Sequence, residues 1–590
     1  MKAIKTFVSG LLLSAVFLLP TTLRAAELQP FFTAKVSSIN ALIGVVEKIS
    51  TMADFANDPS FREAVATVRS IKGFNLNGNF GFAGIDDDGI INMMFVLPIT
   101  DLWGAEIPDS PEIFDSLRPF LTRRGPDRTD INLPFGTLVA LQKQGYLVVV
   151  SEDIADRIPA DVRTFFADLE KYTFGIKLDL EKVELASIEG TIFGPILLFS
   201  MMADPDVGEQ VEEAIEELRE LYKEIAVISG GIVFNPQTAD VELSGALVPR
   251  KDSNWGKVLA EYKQQPTIFG GFRGTPANTV FSLGDSMSAP PLPNQEKALE
   301  RSREQIDTVL AGVLEQIEMD DDTGEVTKAA KEVIDSLFKI VDAESKRGEQ
   351  DYTLSFTIDG TLLFAFDTVS LAEIQKLAAA AVGFARQRVP AGAEAVLETN
   401  LAYTTVEGFS VSSFKLPIIA ALETVFGPAP DDMPAALRAL TLGGFWAVKE
   451  GDKQAIAVAA GIDFAKTQQA FGDALGQTRT PAPVQKPVGV FSMQGLGRFL
   501  QQTVQPIAEQ AVAVEPDPFA ESQVATFKKV VAVLAAAGDD ATVTLLSDIK
   551  PSGAEVSYRI SGKLIQAFIS AVKVSIEASA PVMRPGLRDF

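Results

Sequence analysis

The sequence of 590 residues contains no histidine and no cysteine. Without histidine there is no Ser-His-Asp or Cys-His nucleophile. A His/Cys zinc site, a thiolate-held iron–sulfur cluster and a haem with an axial His or Cys are excluded as well. No disulfide can form, so stability must come from the core. Tryptophan numbers only three, and no aromatic cluster suited to stacking sugars is evident. Long apolar runs are lacking too. Beyond the N-terminus no segment reaches 18 uninterrupted apolar residues, as a membrane-spanning helix would. Ile192 to Met202 comes nearest, but Gly194 and Pro195 interrupt it, and it reads as core. Basic charge is in deficit, with 52 Lys and Arg against 78 Asp and Glu, a formal net charge of -26. Such a surface repels phosphate backbones and anionic headgroups, which argues against nucleic-acid binding.

What is present begins with an export signal. Lys2 and Lys5 form a positive n-region, and an apolar h-region runs from Phe7 to about Leu19. Pro20 breaks it, and small residues follow at Ala25 and Ala26. A signal peptide over residues 1–26 is expected, and with it an exported, periplasmic or extracellular protein. Its removal takes away three basic residues and no acid, which moves the net charge from -26 to -29. The last ten residues hold Pro581, Pro585 and Gly586, which do not make a barrel strand. No transmembrane segment is therefore expected in the mature chain. Hydrophobic residues at 47% and charged residues at 22% are ordinary for a globular protein, and the length implies two or more domains.

One pattern recurs along the chain: a strand, a polar turn, a second strand, then a helix. The hairpins are Phe80 to Leu97, Leu138 to Val150, Ile232 to Val248, Tyr352 to Phe366, Phe445 to Ala460 and Val543 to Ile560. The helices expected after them lie near Ile113–Leu121, from Ser151 to about Tyr172, over Ser253–Tyr262, after Ser370, from Asp463 and after Ser561. Ser370 and Glu373 have the spacing of a capping box. In the fourth hairpin Tyr352, Leu354, Phe356 and Ile358 share one face, and Thr353, Ser355 and Thr357 the other. Two long helical stretches are expected, Ala34–Arg69 and Glu296–Val341. The Pro-rich stretch Ala289 to Asn294 reads as the main linker, and Pro481 to Pro487 as a loop. The fold class expected is α+β, with repeated hairpin–helix units forming antiparallel sheets covered by helices. The expected domains are an N-terminal one over 27–289, a linker with a helical segment over 290–345, and a C-terminal one over 346–590.

These features together resemble a group of exported proteins of unknown function from planctomycete-type bacteria. The matching stretches are Phe95 to Asp101, Gly145 to Glu152, Tyr172 to Leu180 and Gly230 to Tyr262. The resemblance covers mainly residues 30–290. It implies export and the hairpin–helix architecture, and it supplies no activity and no functional residues.

The reactive motifs are few. Gly284-Asp285-Ser286 imitates the start of a GDS-type esterase, but that serine needs a histidine base, so the motif reads as a turn. Ser412 and Lys415 have S-x-x-K spacing, yet Phe409–Phe414 reads as a strand, which sends the two side chains to opposite faces. Gly78, Gly81 and Gly84 do not make a dinucleotide fingerprint, and no P-loop is present. The acidic clusters are Asp86-Asp87-Asp88, Asp320-Asp321-Asp322, Asp431-Asp432 and Asp539-Asp540. Oxygen ligands suit Ca²⁺ or Mg²⁺, but aspartates at turns also serve the local backbone. Counted from Asp320, Gly324 falls at position 5 and Lys331 at position 12, so the calcium-loop pattern fails. No catalytic, cofactor-binding or metal-ligating residue is assigned, and no cofactor is expected.

Phenylalanine is abundant, 39 against 7 tyrosines. Filling a core is the plain reason, and an apolar groove near Phe193, Phe199, Met201 and Met202 is the sharper one. Three functions fit these residues. The first is a non-enzymatic binding or structural protein of the periplasm or envelope, with a protein or envelope partner. The second is a carrier of lipid or another apolar ligand. The third is a carboxylate-based hydrolase, which needs only two acids.

Overall fold

A computed structural model of the chain describes residues 28–52, 58–70, 73–100, 118–134, 136–189, 219–275, 277–291, 346–377, 398–417, 441–451, 453–478, 480–514 and 517–579, with isolated positions between them. The signal region, the Glu296–Val341 stretch apart from isolated positions, and Phe193, Phe199, Met201 and Met202 lie outside them. The fold is mixed α+β, with antiparallel pairing throughout the strand registers described below. The chain forms two compact units, residues 1–257 with 548–559, and residues 258–547 with 560–590.

The first unit contains β1 (Pro30–Val36), β2 (Phe80–Asp87), β3 (Ile90–Pro98), β4 (Leu121–Arg123), β5 (Arg128–Leu133), β6 (Gly136–Lys143), β7 (Tyr146–Ser151), β8 (Phe174–Asp179), β9 (Ile225–Phe234) and β10 (Val241–Pro249). Their order across the sheet is β4-β5-β6-β7-β3-β2-β1-β8-β9-β10. Two of its hairpins turn on pairs that tolerate positive φ. Asp88 and Gly89 have φ of 50° and 87°, and Gln144 and Gly145 have 44° and 85°. A two-residue turn of this hand matches the twist of the flanking strands.

Between β1 and β2 lie helices α1 (Ile39–Met52) and α2 (Pro59–Arg69). Asp58 caps α2 by accepting from the amides of Ser60 and Phe61. The expected long helix Ala34–Arg69 is thus corrected, because Ala34–Val36 pair in β1. Leu121 likewise belongs to β4, while the rest of the Ile113–Leu121 stretch lies outside the described residues up to 117. The expected helix from Ser151 to Tyr172 is broken into α3 (Glu152–Ala155) and a 3₁₀ turn over Val162–Leu169. Pro159 disfavours helical backbone at Ile158, and Asp161 starts the next turn by accepting from the Arg163 amide. This broken segment supplies Ile154, Ala155, Ile158, Val162 and Phe166 to a core with Ala83, Ile85, Met94, Val96, Val139 and Val148 of the sheet.

Helices α4 (Leu185–Ile188) and α5 (Asn254–Glu261) follow in chain order. The second unit contains β11 (Lys263–Gln264), β12 (Thr279–Ser288), β13 (Glu349–Thr357), β14 (Leu362–Thr368), β15 (Glu398–Val406), β16 (Phe409–Pro417), β17 (Thr441–Lys449), β18 (Gln454–Gly461), β19 (Gly489–Ser492) and most of β20 (Thr542–Lys550). Their order is β20-β19-β12-β13-β14-β18-β17-β16-β15, with β11 on the end of β12. The Pro-rich stretch from Ala289 therefore leaves one strand of this sheet and leads to its neighbour. The β15–β16 hairpin, on Glu407 and Gly408, was not among the six expected, although both residues have positive φ.

One face of this sheet packs on a 3₁₀ turn, Gly270–Arg273, and on α6 (Phe464–Gly476), capped by Asp463. The core there joins Phe269, Phe272, Phe471 and Leu475 to Ala365, Phe445, Ala447, Ala457 and Ala459. Helices α7 (Met493–Phe499), α8 (Gln505–Val514), α9 (Pro518–Ala535) and α10 (Gly562–Ser579) follow, and α9 and α10 meet through Leu534, Ala567 and Ala571. Finally β21 (Gly553–Ile560), which up to Arg559 belongs to the first unit, pairs there with β10, and Glu555 meets Lys171 at 2.9 Å and Arg559 meets Asp240 at 2.9 Å.

Two local expectations are corrected, and the buried face of one strand is fixed. Gly284-Asp285-Ser286 is no turn but lies inside β12, paired with Asp351–Thr353. Helical residues begin at 371, but Ser370 and Glu373 form no reciprocal box. The Ser370 amide is taken by Glu344 and Thr368, and Glu373 bonds Lys376. On β13 the deeply buried face is Thr353 and Ser355, while Tyr352, Leu354 and Phe356 are half-buried.

Candidate functional site

The residues singled out by motif do not assemble into a centre. Ser412 and Lys415 sit on β16 opposite Trp446 and Gly443, hence on opposite faces, and the Lys415 ammonium lies 5.0 Å from the Phe464 ring. Ser286 is 2% exposed and points its hydroxyl at the Pro266 carbonyl, 3.4 Å away. Asp86 spends its oxygens on the amides of Gly89 and Glu184, and Asp87 pairs with Arg157. Asp540 pairs with Lys563 at 2.6 Å. Asp320-Asp321-Asp322 and Asp431-Asp432 lie outside the described residues. Among the described residues no three acidic side chains converge as a metal site would require.

The structure assembles a different group, in the second unit. Asp351 of β13 stands opposite Ser286 of β12, and the β13–β14 register puts Asp367 of β14 beside it on the same face. Asp351 Oδ2 accepts from the Ile268 amide at 2.9 Å, and the Asp351 amide donates to Asp367 Oδ1 at 2.8 Å. Arg347 donates to Asp367 Oδ2 at 2.5 Å and faces Glu344 at 3.8 Å. Glu344 in turn accepts from the Thr368 hydroxyl and from the amides of Val369 and Ser370. Burial raises the Asp351 carboxyl to about 6, against the pull of Thr267 and the Ile268 amide, and burial also pushes Asp367 up. Asp351 is only 8% exposed, so this carboxylate pair is closed to a substrate.

Asp351 lies on the β13 face that alternation marks as polar, and such a face normally reads as solvent, while Asp367 shares its face of β14 with Leu363 and Ala365. The signal available was an Asp at one end of each paired strand, at positions the register makes neighbours.

In the first unit a cleft of about 220 Å³ is lined by Phe31, Thr33, Thr164, Asp168, Lys177 and Lys182, among others. Lys177 pairs with Asp168, and Lys182 lies 3.2 Å from Asp179. The lysines are balanced by aspartates, so the cleft has no strong preference for ligand charge. On β1 the Lys35 side chain is 3% exposed, and burial lowers its pKa although Glu170 draws it up.

The other sheet face of this unit is apolar. The registers put Phe174, Ile176 and Leu178 of β8 in line with Ile228, Gly230 and Ile232 of β9 and with Leu243, Gly245 and Leu247 of β10. Phe174, Ile176 and Leu243 are 40%, 42% and 41% exposed. In the second unit α10 exposes Phe568, Val572 and Ile576, spaced four residues apart on one side of the helix. Among the described residues no helix is long and apolar enough to cross a membrane. No protein-family model, curated protein or solved structure matches this chain.

Proposed function

We propose that the protein is an exported, non-enzymatic binding or structural protein of the periplasm or cell envelope, acting by contact with a partner protein that presents an apolar surface. The observation that supports this most is the exposed apolar face over β8, β9 and β10. Contiguous exposed apolar area on a sheet is costly to keep in water unless something uses it. The N-terminal pattern of Lys2, Lys5 and the Phe7–Leu19 run supports export, as does the resemblance to exported proteins of planctomycete-type bacteria. The six hairpins support reading the architecture as one hairpin–helix unit repeated. The buried state of the Asp351–Asp367 pair weighs against the hydrolase.

The test uses the double variant Ile176→Asp/Leu243→Asp. Both side chains are exposed, so the variant should fold like the wild type by circular dichroism. In the exported fraction of the native host, the wild-type protein should migrate in cross-linked complexes larger than itself, and the variant should migrate alone. Equal migration of the two would remove this face as the contact surface. An intact Met1 on a cytoplasmic protein would remove export.

A further inference from the structure

We propose that Asp351 and Asp367 together hold one proton in the folded protein, and that its loss loosens the joint where β13 and β14 begin and end. The geometry is a shortage of counter-charge. Two carboxylates, Glu344 and Asp367, share one nearby arginine, Arg347, and Asp351 meets Asp367 through its own amide. Glu344 and Asp367 are supplied, since each accepts from Arg347 or from several amides and hydroxyls. Asp351 is the one left over. Its Oδ1 is buried and has no hydrogen-bond partner among the described residues.

A buried carboxylate oxygen without a donor is expensive when charged and tolerable when protonated. The groups facing it do not relieve this. On β12 the residue opposite is neutral Ser286. On the segment before the 3₁₀ turn, Thr267 and the Ile268 amide serve the other oxygen. Arg273 of that turn is bonded to the carbonyls of Gln485 and Pro487 instead. Lys453, ahead of β18, is the remaining cation and pulls only weakly, while Asp367 pushes the other way. The direction of the Asp351 shift agrees with this arrangement.

The sign follows from proton counting. A carboxyl raised from 3.8 to about 6 on folding binds more proton when folded than when unfolded. Its contribution therefore favours the fold at the acid end and is lost as pH rises through that window. The protonated joint ties Ile268, β13, β14 and the Glu344–Arg347 segment together. The ionised joint keeps those bonds around an uncompensated charge.

Hydrogen exchange of the full-length protein across pH 4 to pH 7, corrected for the intrinsic pH dependence of exchange, measures the joint directly (about the window set by the two pKa values). The reporters are the Ile268 and Asp351 amides, which donate into the pair. In the wild type their protection should fall several-fold as pH rises. Asp351→Asn mimics the protonated acid and should make protection independent of pH. Asp367→Asn removes the neighbouring charge and should move the loss of protection to lower pH, because Asp351 then ionises against less repulsion. Wild-type protection that ignores pH, or an Asp351→Asn profile that keeps the wild-type slope, would overturn the proposal. If Asp351→Asn does not fold, an Asp367→Asn profile superimposable on the wild type would overturn it.

Discussion

The two units bury their sheets in different ways. In the first, the broken segment after β7 lies on aliphatic side chains, with Val139, Val148, Val96 and Met94 under Ile154, Val162 and Phe166. In the second, the covering rings of Phe272 and Phe471 lie on small residues, chiefly Ala365, Ala457 and Ala459, and the Ser355 hydroxyl donates to the Phe272 carbonyl at 2.5 Å. Phe471 also stacks on Phe445 of the sheet, so small residues and a buried ring share the sheet side of this core. Both units use the same device at single positions. A Cβ on Gly81 would sit 2.2 Å from the Phe166 ring, and one on Gly443 would sit 2.6 Å from Phe464. Phe166 and Phe464 are thus seated over residues without a side chain.

Phe445 is fully buried against Phe464, with ring centroids 4.7 Å apart, and against Phe471. Phe445→Ala should cost about 3–5 kcal/mol in chemical denaturation. In the first unit Gly81→Val should cost about 1–3 kcal/mol by pushing Phe166 out of its seat, and a double variant with Phe166→Ala should recover part of it.

The units should also differ in sign with pH. A lysine whose pKa falls on folding binds less proton when folded, so Lys35 makes the first unit more stable as pH rises towards 10.5. The second unit, through Asp351, gains on the acid side. Lys35→Met should flatten the alkaline rise and be neutral or stabilising by about 1 kcal/mol. The smallest effect belongs to the exposed apolar face, where Ile176→Ser should stay within about 0.5 kcal/mol. A large loss there would mean that the face is covered in solution.

Turn chemistry made the hairpins legible. Asp88-Gly89 and Asp359-Gly360 bracket runs of alternating residues, and the strands fall where those runs lie. Asp463 and Asp58 work as caps because they precede helices and accept from amides of the first turn. Ser370 fails because Glu344, distant in sequence by 26 residues, reaches its amide first. The helix after Ser151 fails because Pro159 interrupts an otherwise apolar periodicity. The charged pair was hidden for a deeper reason. Alternation separates the two faces of β13 but does not say which is inside, and that depends on Phe272, which comes from another part of the chain.

That choice of face is the central claim, and one pair of substitutions tests it. Side-chain polarity alone would make Leu354 the core residue and Ser355 the surface one. The packing makes Ser355, at 0% exposure beneath the Phe272 segment, the less tolerant of the two. The urea midpoints of Ser355→Leu and Leu354→Thr should be compared in the full-length protein. The structure predicts the larger fall for Ser355→Leu. A larger fall for Leu354→Thr would contradict it.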